Sequence, residues 1–205
     1  AFIVGNSRAL WRPFVQWAVP YMDTLGDESR PDVLDEYTRR TVKRVLSAPG
    51  LPPCQVYWAF ETGDSAVSVT TAASVAGLAF YHPEHQRSVH ATLGPWIAYR
   101  AILVFDSVDA SALPKPPPPT DPCTAAGWAR VGALQAACVA QWSEDPNGSE
   151  EDWGRLVEVV RAVETGRAHA YSDQMVAFHY TVDVSKRLRG LREAATVEPP
   201  SRCAL

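Results

Sequence analysis

The pattern of apolar and polar residues predicts a mixture of strands and helices in the first half of the chain. Residues 2–4 form a short apolar strand candidate, and after a capping position at Asn6 or Ser7 the apolar residues recur at helical spacing. Pro31 suits the first turn of a second helix, whose charged face we interpret as solvated. Residues 55–61, QVYWAFE, are rich in β-forming side chains and predict another strand.

The most apolar run of the chain, residues 97–105, predicts a central strand because both of its faces are apolar. Arg100 interrupts this run, and a guanidinium in such a strand needs an acidic partner or an anionic ligand. The sequence favours a structural ion pair and leaves the anionic ligand open.

A stretch of small residues, TTAASVAG at 70–77, precedes this strand. It predicts a helix over residues 72–81, capped by Thr70 or Thr71 and weakened by Gly77, between short strands at residues 67–69 and 89–93. Clusters of Thr, Ala, Ser and Gly bury little surface but let a flat ligand or another backbone come close. The stretch therefore predicts a floor for a bound molecule.

The second half of the chain predicts helices joined by a proline-rich connector. Residues 113–119, LPKPPPP, indicate an extended polyproline segment, which we interpret as a stiff connector rather than an SH3-type ligand. Thr124 is placed to cap an amphipathic helix, and a further helix begins at Ser149 and stops at Gly166.

Two weaker helical segments follow at residues 171–179 and 185–192. Helices lie between strands in the first half and stand alone in the second, which predicts an α+β fold with helices packed on a sheet. We expect a single domain over residues 1–195 and a disordered tail over 196–205.

Composition narrows the class of protein. A length of 205 residues suits one sizeable core, and a net charge of −4 argues against a nucleic-acid partner. No apolar run has the length of a membrane span. The four cysteines are far apart and form no CxxC pair, which fits a reducing compartment such as the cytoplasm.

Common catalytic motifs are missing from the sequence: there is no P-loop, GxGxxG, HExxH or GxSxG motif. His82, Glu84 and His85 are metal-ligating residue types in one turn, but Pro83 between them gives poor geometry, so we expect no metal held by the protein itself. The residues alone indicate an α+β domain with a small-molecule pocket.

Two blocks, TTAASVAGLAFY at 70–81 and HATLGPWIAYRAILVFD at 90–106, resemble the CblC-type cobalamin-processing proteins, which are cyanocobalamin decyanases and alkylcobalamin dealkylases. Segments at 1–17, 51–61 and 171–178 are also similar to the family. Members of the family extend further at the N-terminus, so we expect the N-terminus of this chain to be truncated.

The resemblance implies a nitroreductase- or flavin-reductase-like antiparallel sheet that holds cobalamin base-off, with its dimethylbenzimidazole tail displaced from cobalt. It implies removal of the upper axial ligand, either by decyanation with reduced flavin (FMN or FAD) or by dealkylation with glutathione. Arg100 matches a glutathione-binding arginine of the family, and Arg187 is a second candidate for glutathione binding. The family's second glutathione-binding arginine has no clear counterpart in the helix predicted at residues 149–165. The implied corrin-binding positions are Glu61, Val67, Ser68, Val69, Thr70, Ser74, Gly77, Tyr81, His82, Pro83, Ser88 and Tyr99.

The sequence also departs from the family. Ser74 stands where the family has a histidine, Pro95 replaces a glycine before Trp96, and the helix predicted at residues 149–165 looks like an insertion. The implied partners are a CblD-type trafficking protein and a flavin reductase, and the implied state is a monomer or a ligand-induced homodimer. Two alternatives stay open: a non-catalytic carrier of cobalamin or flavin, and a nitroreductase-like flavin reductase.

Overall fold

A computed structural model describes residues 1–24, 32–142, 150–181 and 183–197. The strands in these ranges are β1 (Phe2–Asn6), β2 (Gln55–Trp58), β3 (Phe80–His82), β4 (Arg87–Val89) and β5 (Ala98–Val104). The α-helices are α1 (Trp11–Ala18), α2 (Val33–Leu46), α3 (Val69–Val75), α4 (Ala125–Trp142), α5 (Glu150–Ala162), α6 (Asp173–His179) and α7 (Val184–Val197). Short 3-10 helices cover Arg8–Leu10, Val19–Thr24, Gly63–Ser65 and Arg167–His169.

The sheet confirms β5 as the central strand. β5 pairs antiparallel with β1 on one side and with β2 on the other, in the order β1-β5-β2. β3 and β4 form a separate antiparallel hairpin. Helices and antiparallel strands thus combine in an α+β fold, as predicted.

The helices pack in three places: against one another, against the β3–β4 hairpin and against β5. α1 and α2 pack with α6 and α7 around a buried aromatic cluster that includes Trp11, Phe14 and Phe178. α4 and α5 cover one face of the β3–β4 hairpin through Trp128 and Val89. α3 packs on β5 through smaller residues. Among the described helices, none combines the length and the apolar character needed to cross a bilayer.

Two glycines bring the loop before β5 against the connection between α5 and α6. A Cβ atom at Gly94 would lie 1.9 Å from the carbonyl oxygen of Thr165, and one at Gly166 would lie 2.3 Å from the carbonyl oxygen of Leu93. Both glycines have a left-handed backbone, with φ of +61° and +78°. The close approach therefore depends on glycine at both positions.

The boundaries around α2 and α3 differ from those predicted. α2 begins at Val33, because the side chain of Asp32 accepts a hydrogen bond from the Leu34 N–H at 2.9 Å and caps the helix. The predicted strand at 67–69 is wrong: Ser68 caps α3 instead. α3 ends at Val75, well short of residue 81, ahead of the left-handed turn at Gly77.

Two predicted strands are shorter than expected. β2 ends at Trp58, because the Glu61 N–H turns back to the Trp58 carbonyl. The predicted strand at 89–93 is wrong, since β4 ends at Val89. There the imidazole of His90 accepts from the N–H groups of Thr92 and Leu93, which closes a turn.

The helical second half is confirmed with small changes. Thr124 Oγ1 accepts from the Gly127 N–H at 3.0 Å and caps α4, as predicted. α7 continues to Val197, two residues into the predicted tail. The predicted helix starts at Pro31 and Ser149 and the part of the predicted tail beyond residue 197 lie outside the described residues.

Candidate functional site

A β-bulge in the central strand aims Arg100 at α2. Val4 of β1 pairs with Ala101, whereas the next residue, Gly5, pairs with Tyr99, so Arg100 is the extra residue on β5. A bulge breaks the regular alternation of a strand and redirects one side chain. Arg100 therefore faces the first turn of α2 even though its neighbour Ala101 packs in the core beside the same helix.

The guanidinium of Arg100 is only partly engaged by the protein. Its Nε donates to Asn6 Oδ1 at 2.6 Å, and its Nη1 lies 3.8 Å from Asp35 Oδ1, which is beyond hydrogen-bond distance. The side chains of Arg100 and Asp35 are 15% and 21% exposed. The predicted acidic partner therefore exists, but it leaves the terminal N–H groups of the guanidinium available to an anion.

A second arginine joins the same cluster from α7. Arg187 Nη2 donates to Asp32 Oδ2 at 2.8 Å, and its guanidinium lies 4.5 Å from the ring centre of Phe178. Because Asp32 caps α2 and Asp35 lies in its first turn, this contact brings Arg187 to the acid pair that also faces Arg100. The two arginines given by the resemblance thus lie around one pair of carboxylates.

The two carboxylates have opposite pKa shifts. Burial opposes the charge on Asp32, but Arg187 and the backbone N–H groups of Leu34 and Asp35 outweigh it and hold the pKa of Asp32 below its ordinary value. Burial and repulsion by Asp32 raise the pKa of Asp35 to about 6, despite the attraction of the nearby arginines. Asp35 therefore carries a negative charge that its surroundings compensate incompletely.

An imidazole and a phenol complete this cluster. Burial and the positive charges of Arg100 and Arg187 lower the pKa of His179 to about 4, so that its ring is neutral at pH 7. The ring lies 5.3 Å from that of Tyr171, centre to centre. Burial raises the pKa of Tyr171 to about 12, which keeps the phenol protonated. The cluster thus contains two acids, two arginines and two neutral rings.

Only some of the corrin-binding positions implied by the resemblance lie close together in the structure. The hydroxyl groups of Ser88 and Tyr99 lie 3.0 Å apart, and Tyr99 packs against Ala73 of α3. Tyr81 pairs with Ser88 across the hairpin, which puts both on the same face. Ser68 caps α3, while Val69, Thr70 and Ser74 lie on it and are half-buried. We call this group of residues, on α3 and on the neighbouring strands, the α3 surface.

Glu61 belongs to a different contact. Its carboxylate lies 3.4 Å from Arg39 of α2, and the Arg39 guanidinium covers the rings of Trp58 and Phe60 at 5.3 and 4.7 Å. The interpretation of the α2 charges as a solvated face is therefore wrong for Asp35 and Arg39, because both pair with groups of the sheet side.

His82 lies on the opposite face of the hairpin from Tyr81, because neighbouring residues of a strand alternate. Its ring packs 4.3 Å from Trp128 of α4 and 4.4 Å from His85. One ligand atom each of His82, Glu84 and His85 lies within 4.8 Å of the others, so this group could hold a metal ion. The poor geometry that the sequence predicted for these three residues is therefore corrected.

Gly77 approaches another part of the chain instead of an open floor. A Cβ atom at Gly77 would lie 2.8 Å from Pro116 Cβ and 2.8 Å from the Pro117 carbonyl oxygen. The polyproline connector therefore packs on its own domain, as predicted. The sequence predicts that this glycine forms part of a floor for a ligand, and the structure corrects that reason: the missing side chain makes room for the connector.

One pocket of about 230 Å³ lies elsewhere, between the start of α4 and the end of α5. Cys123, Trp128, Val163 and Thr165 are among the residues that line it. It is far too small for a corrin ring, and it contains none of the predicted site residues.

The fold is one already seen among CblC-type proteins, which confirms the predicted class of α+β protein. The solved structure is that of a B12-trafficking protein CblC from C. elegans, a homologue of human MMACHC. The chain matches it with a TM-score of 0.60 and 17% identity over 93% of this chain and 77% of that chain. No protein-family model and no curated protein sequence matches the chain. The resemblance seen in the sequence is thus confirmed in the fold.

The sequence reasoning missed Asn6, Asp32, His179 and Tyr171. Asp32 and Asp35 are three residues apart at the start of a predicted helix, so their side chains lie on the same side of it. This spacing could have indicated an acid pair able to face a buried arginine. Nothing in the sequence around Asn6 or His179 marks either residue, because both are brought to Arg100 by long-range packing.

Proposed function

We propose that this protein binds cobalamin base-off on the α3 surface and transfers its upper alkyl ligand to glutathione. The observation that carries the proposal is the convergence of Arg100 and Arg187 on Asp32 and Asp35. The resemblance implies a glutathione-binding role for Arg100, Arg187 is the second candidate, and the two come from distant segments of a chain that has the CblC fold.

The α3 surface suits a large flat ligand. Val69, Thr70 and Ser74 of α3 are half-buried, and the hydroxyl groups of Ser88 and Tyr99 form a polar pair beside them. Burial raises the pKa of Tyr99, so the phenol keeps its proton and remains able to donate a hydrogen bond. These features support a corrin floor whose polar groups fix the orientation of the ring.

Cobalt, which arrives with the substrate, supplies the difficult chemistry. The glutathione thiol loses its proton to solvent, and the thiolate attacks the alkyl carbon bound to cobalt. A sulfur–carbon bond forms, the cobalt–carbon bond breaks, and both electrons of that bond stay on cobalt, which becomes cobalt(I). In this proposal the protein positions the two reactants, and no side chain acts as general acid or base.

Arg100 suits the binding of a glutathione carboxylate. Asn6 fixes the guanidinium through Nε, while the terminal N–H groups remain available. A forked pair of N–H donors matches the two oxygens of a carboxylate.

Decyanation and the partner proteins stay predictions. Reduced flavin would supply its electrons when bound, but among the described residues none has a chemistry that specifically requires an isoalloxazine. We therefore derive no step through flavin. The CblD-type partner, the flavin reductase and the ligand-induced homodimer likewise rest on the resemblance.

A non-catalytic cobalamin carrier is the second candidate. Ser74 favours it, because this half-buried position of α3 has a hydroxyl where the resembled family has an imidazole. A carrier would use the same α3 surface without completing the transfer of the alkyl group.

Anaerobic incubation of the protein with methylcobalamin and excess glutathione tests the proposal. The proposal predicts S-methylglutathione and cobalt(I) in equal amounts, at a rate that saturates with glutathione. Binding of methylcobalamin without any S-methylglutathione would support the carrier instead.

A further inference from the structure

Asp35 and Arg100 are two opposite charges that lie close together without forming a full ion pair. Their nearest nitrogen and oxygen atoms are 3.8 Å apart, whereas the neighbouring pair of Asp32 and Arg187 closes to 2.8 Å. Within the described ranges, no hydrogen bond reaches the Asp35 carboxylate. The cluster therefore has one satisfied pair and one unsatisfied pair side by side.

Each member of the unsatisfied pair lacks a different partner. Arg100 is held through Nε by Asn6, so its outer N–H groups need an anion. Asp35 lies beside Asp32, and burial adds to that repulsion to raise the pKa of Asp35 to about 6. A raised pKa in spite of nearby arginines means that another cation at Asp35 would be stabilised.

Arg187 and His179 do not supply that cation. Arg187 is hydrogen-bonded to Asp32 and lies over the Phe178 ring. His179 is kept neutral by burial and by the two arginines, with its pKa lowered to about 4. The missing positive charge at Asp35 has to come from a proton or from a ligand.

We propose that Asp35 and Arg100 together bind the α-amino-acid end of the thiol substrate, Asp35 taking its ammonium group and Arg100 its carboxylate. This inference rests on the proposed function and adds a determinant of specificity to it. In glutathione that end is the γ-glutamyl head, where the ammonium and the carboxylate share one carbon atom. Arg187 remains hydrogen-bonded to Asp32.

The assignment makes the site selective for a zwitterion over a simple anion. An N-acylated thiol has no positive charge to offer, so it would leave Asp35 unpaired beside a bound carboxylate. Leaving a partly buried charge unpaired weakens binding, typically by about tenfold or more for one charge-assisted hydrogen bond.

Calorimetric titration of the protein with glutathione and with N-acetylglutathione at pH 7.5 tests the proposal. The wild-type protein should bind the acetylated thiol about tenfold more weakly. Asp35→Asn should weaken glutathione to the level of the acetylated thiol and abolish the difference between the two. Glu36→Gln is the matched control, since it removes a charge from the same helix turn at a residue that pairs with Arg40, and it should preserve the difference.

Glutathione and N-acetylglutathione can also be compared on the wild-type protein at lower pH, where Asp35 becomes protonated. The charged or titratable groups that face Asp35 or its cluster come from four elements and their flanking residues. They are Asp32, which caps α2, Arg39 on α2, Arg100 on β5, Tyr171 just before α6, His179 on α6 and Arg187 on α7. His179 stays neutral down to about pH 4, so protonation of Asp35 dominates the change near pH 6. The preference for glutathione over its acetylated form should shrink below that pH.

Two results with the Asp35→Asn variant would overturn the inference. One is a tenfold preference for glutathione that survives in Asp35→Asn; the other is tighter glutathione binding in that variant, which would make Asp35 a competitor for Arg100. If glutathione does not bind the wild-type protein, the zwitterion site is excluded. The cobalamin-binding part of the proposed function is judged separately by the cobalamin spectrum.

Discussion

Arg187 Nη2 donates a hydrogen bond to Asp32 Oδ2 at 2.8 Å and so joins α7 to the residue that caps α2. The contact is 25% exposed at the arginine and 37% at the aspartate, which makes it a partly solvated ion pair. It has a structural role, since it fastens α7 to the start of α2, and a proposed functional role, since it keeps Arg187 at the acid pair that faces Arg100.

Arg187→Met tests both roles of this ion pair. We expect a loss of about 1 kcal/mol of unfolding free energy, typical of a partly exposed pair, together with weaker glutathione binding. Arg189→Met is the matched control, because Arg189 is exposed on the same helix. Thermal melts and glutathione titrations measure the two effects, and equal behaviour of the two variants would refute this account of Arg187.

Arg100→Lys keeps the charge but removes the forked geometry. We expect glutathione to bind about ten- to a hundredfold more weakly, equivalent to the 1.5–3 kcal/mol typical of one charge-assisted hydrogen bond, while cobalamin binding changes much less. If Arg100 is only a structural residue, the melting temperature should fall and both ligands should weaken together. The glutathione dependence of dealkylation, measured beside a thermal melt, separates these results.

The stability of the protein should depend on pH through two groups with opposite signs. Between about pH 4 and 6 the folded protein keeps a proton on Asp35 that the unfolded chain has lost, so stability from this group falls as the pH rises. Between about pH 4 and 6.5 the unfolded chain protonates His179 whereas the folded protein does not, so stability from this group rises with pH.

Single substitutions should reveal each slope. In Asp35→Asn only the contribution of His179 remains, so the unfolding free energy of this variant should increase steadily from pH 4 to 6.5. His179→Phe leaves the Asp35 effect, so its unfolding free energy should decrease from pH 4 to 6. Denaturant titrations across this range measure both, and parallel profiles for the two variants would contradict the assigned pKa shifts.

Gly77→Val should destabilise the protein by pushing the polyproline connector away. The new side chain meets Pro116 and Pro117, and its backbone is left-handed with φ of +69°. Gly63→Val is a matched control: its φ is +67°, but nothing lies within 4 Å of its Cβ position. We expect Gly77→Val to lose about 1–3 kcal/mol more than the control, as for an overpacked contact. Equal losses in denaturant unfolding would mean that the connector does not need this glycine.

The sequence predicted the strand that carries Arg100, but it did not predict which residues Arg100 contacts. The apolar run around Arg100 was correctly predicted as the central strand, and the need of its guanidinium for an acid was correct as well. The identity of that acid was not predictable, because Asp35 lies in a charged helix whose pattern is the same for a solvated face. The register that makes Arg100 a bulge residue depends on pairing with β1, which local patterns do not specify.

Close approaches between distant segments were also beyond the sequence. Gly77 weakens the predicted helix, and residues 113–119 are predicted to form a stiff connector. The contact between them arises only because the chain folds back after β5. His82 was assigned to the corrin site by resemblance, whereas strand alternation directs it to Trp128. Such outcomes depend on tertiary packing, which overrides local composition.

The absorption spectrum of methylcobalamin during titration with the purified protein tests the central claim most directly. The account predicts a shift to the base-off form that saturates with protein, followed by loss of the cobalt–methyl bond once glutathione is added without oxygen. A spectrum that stays base-on at saturating protein, with the methyl group retained in the presence of glutathione, would contradict it.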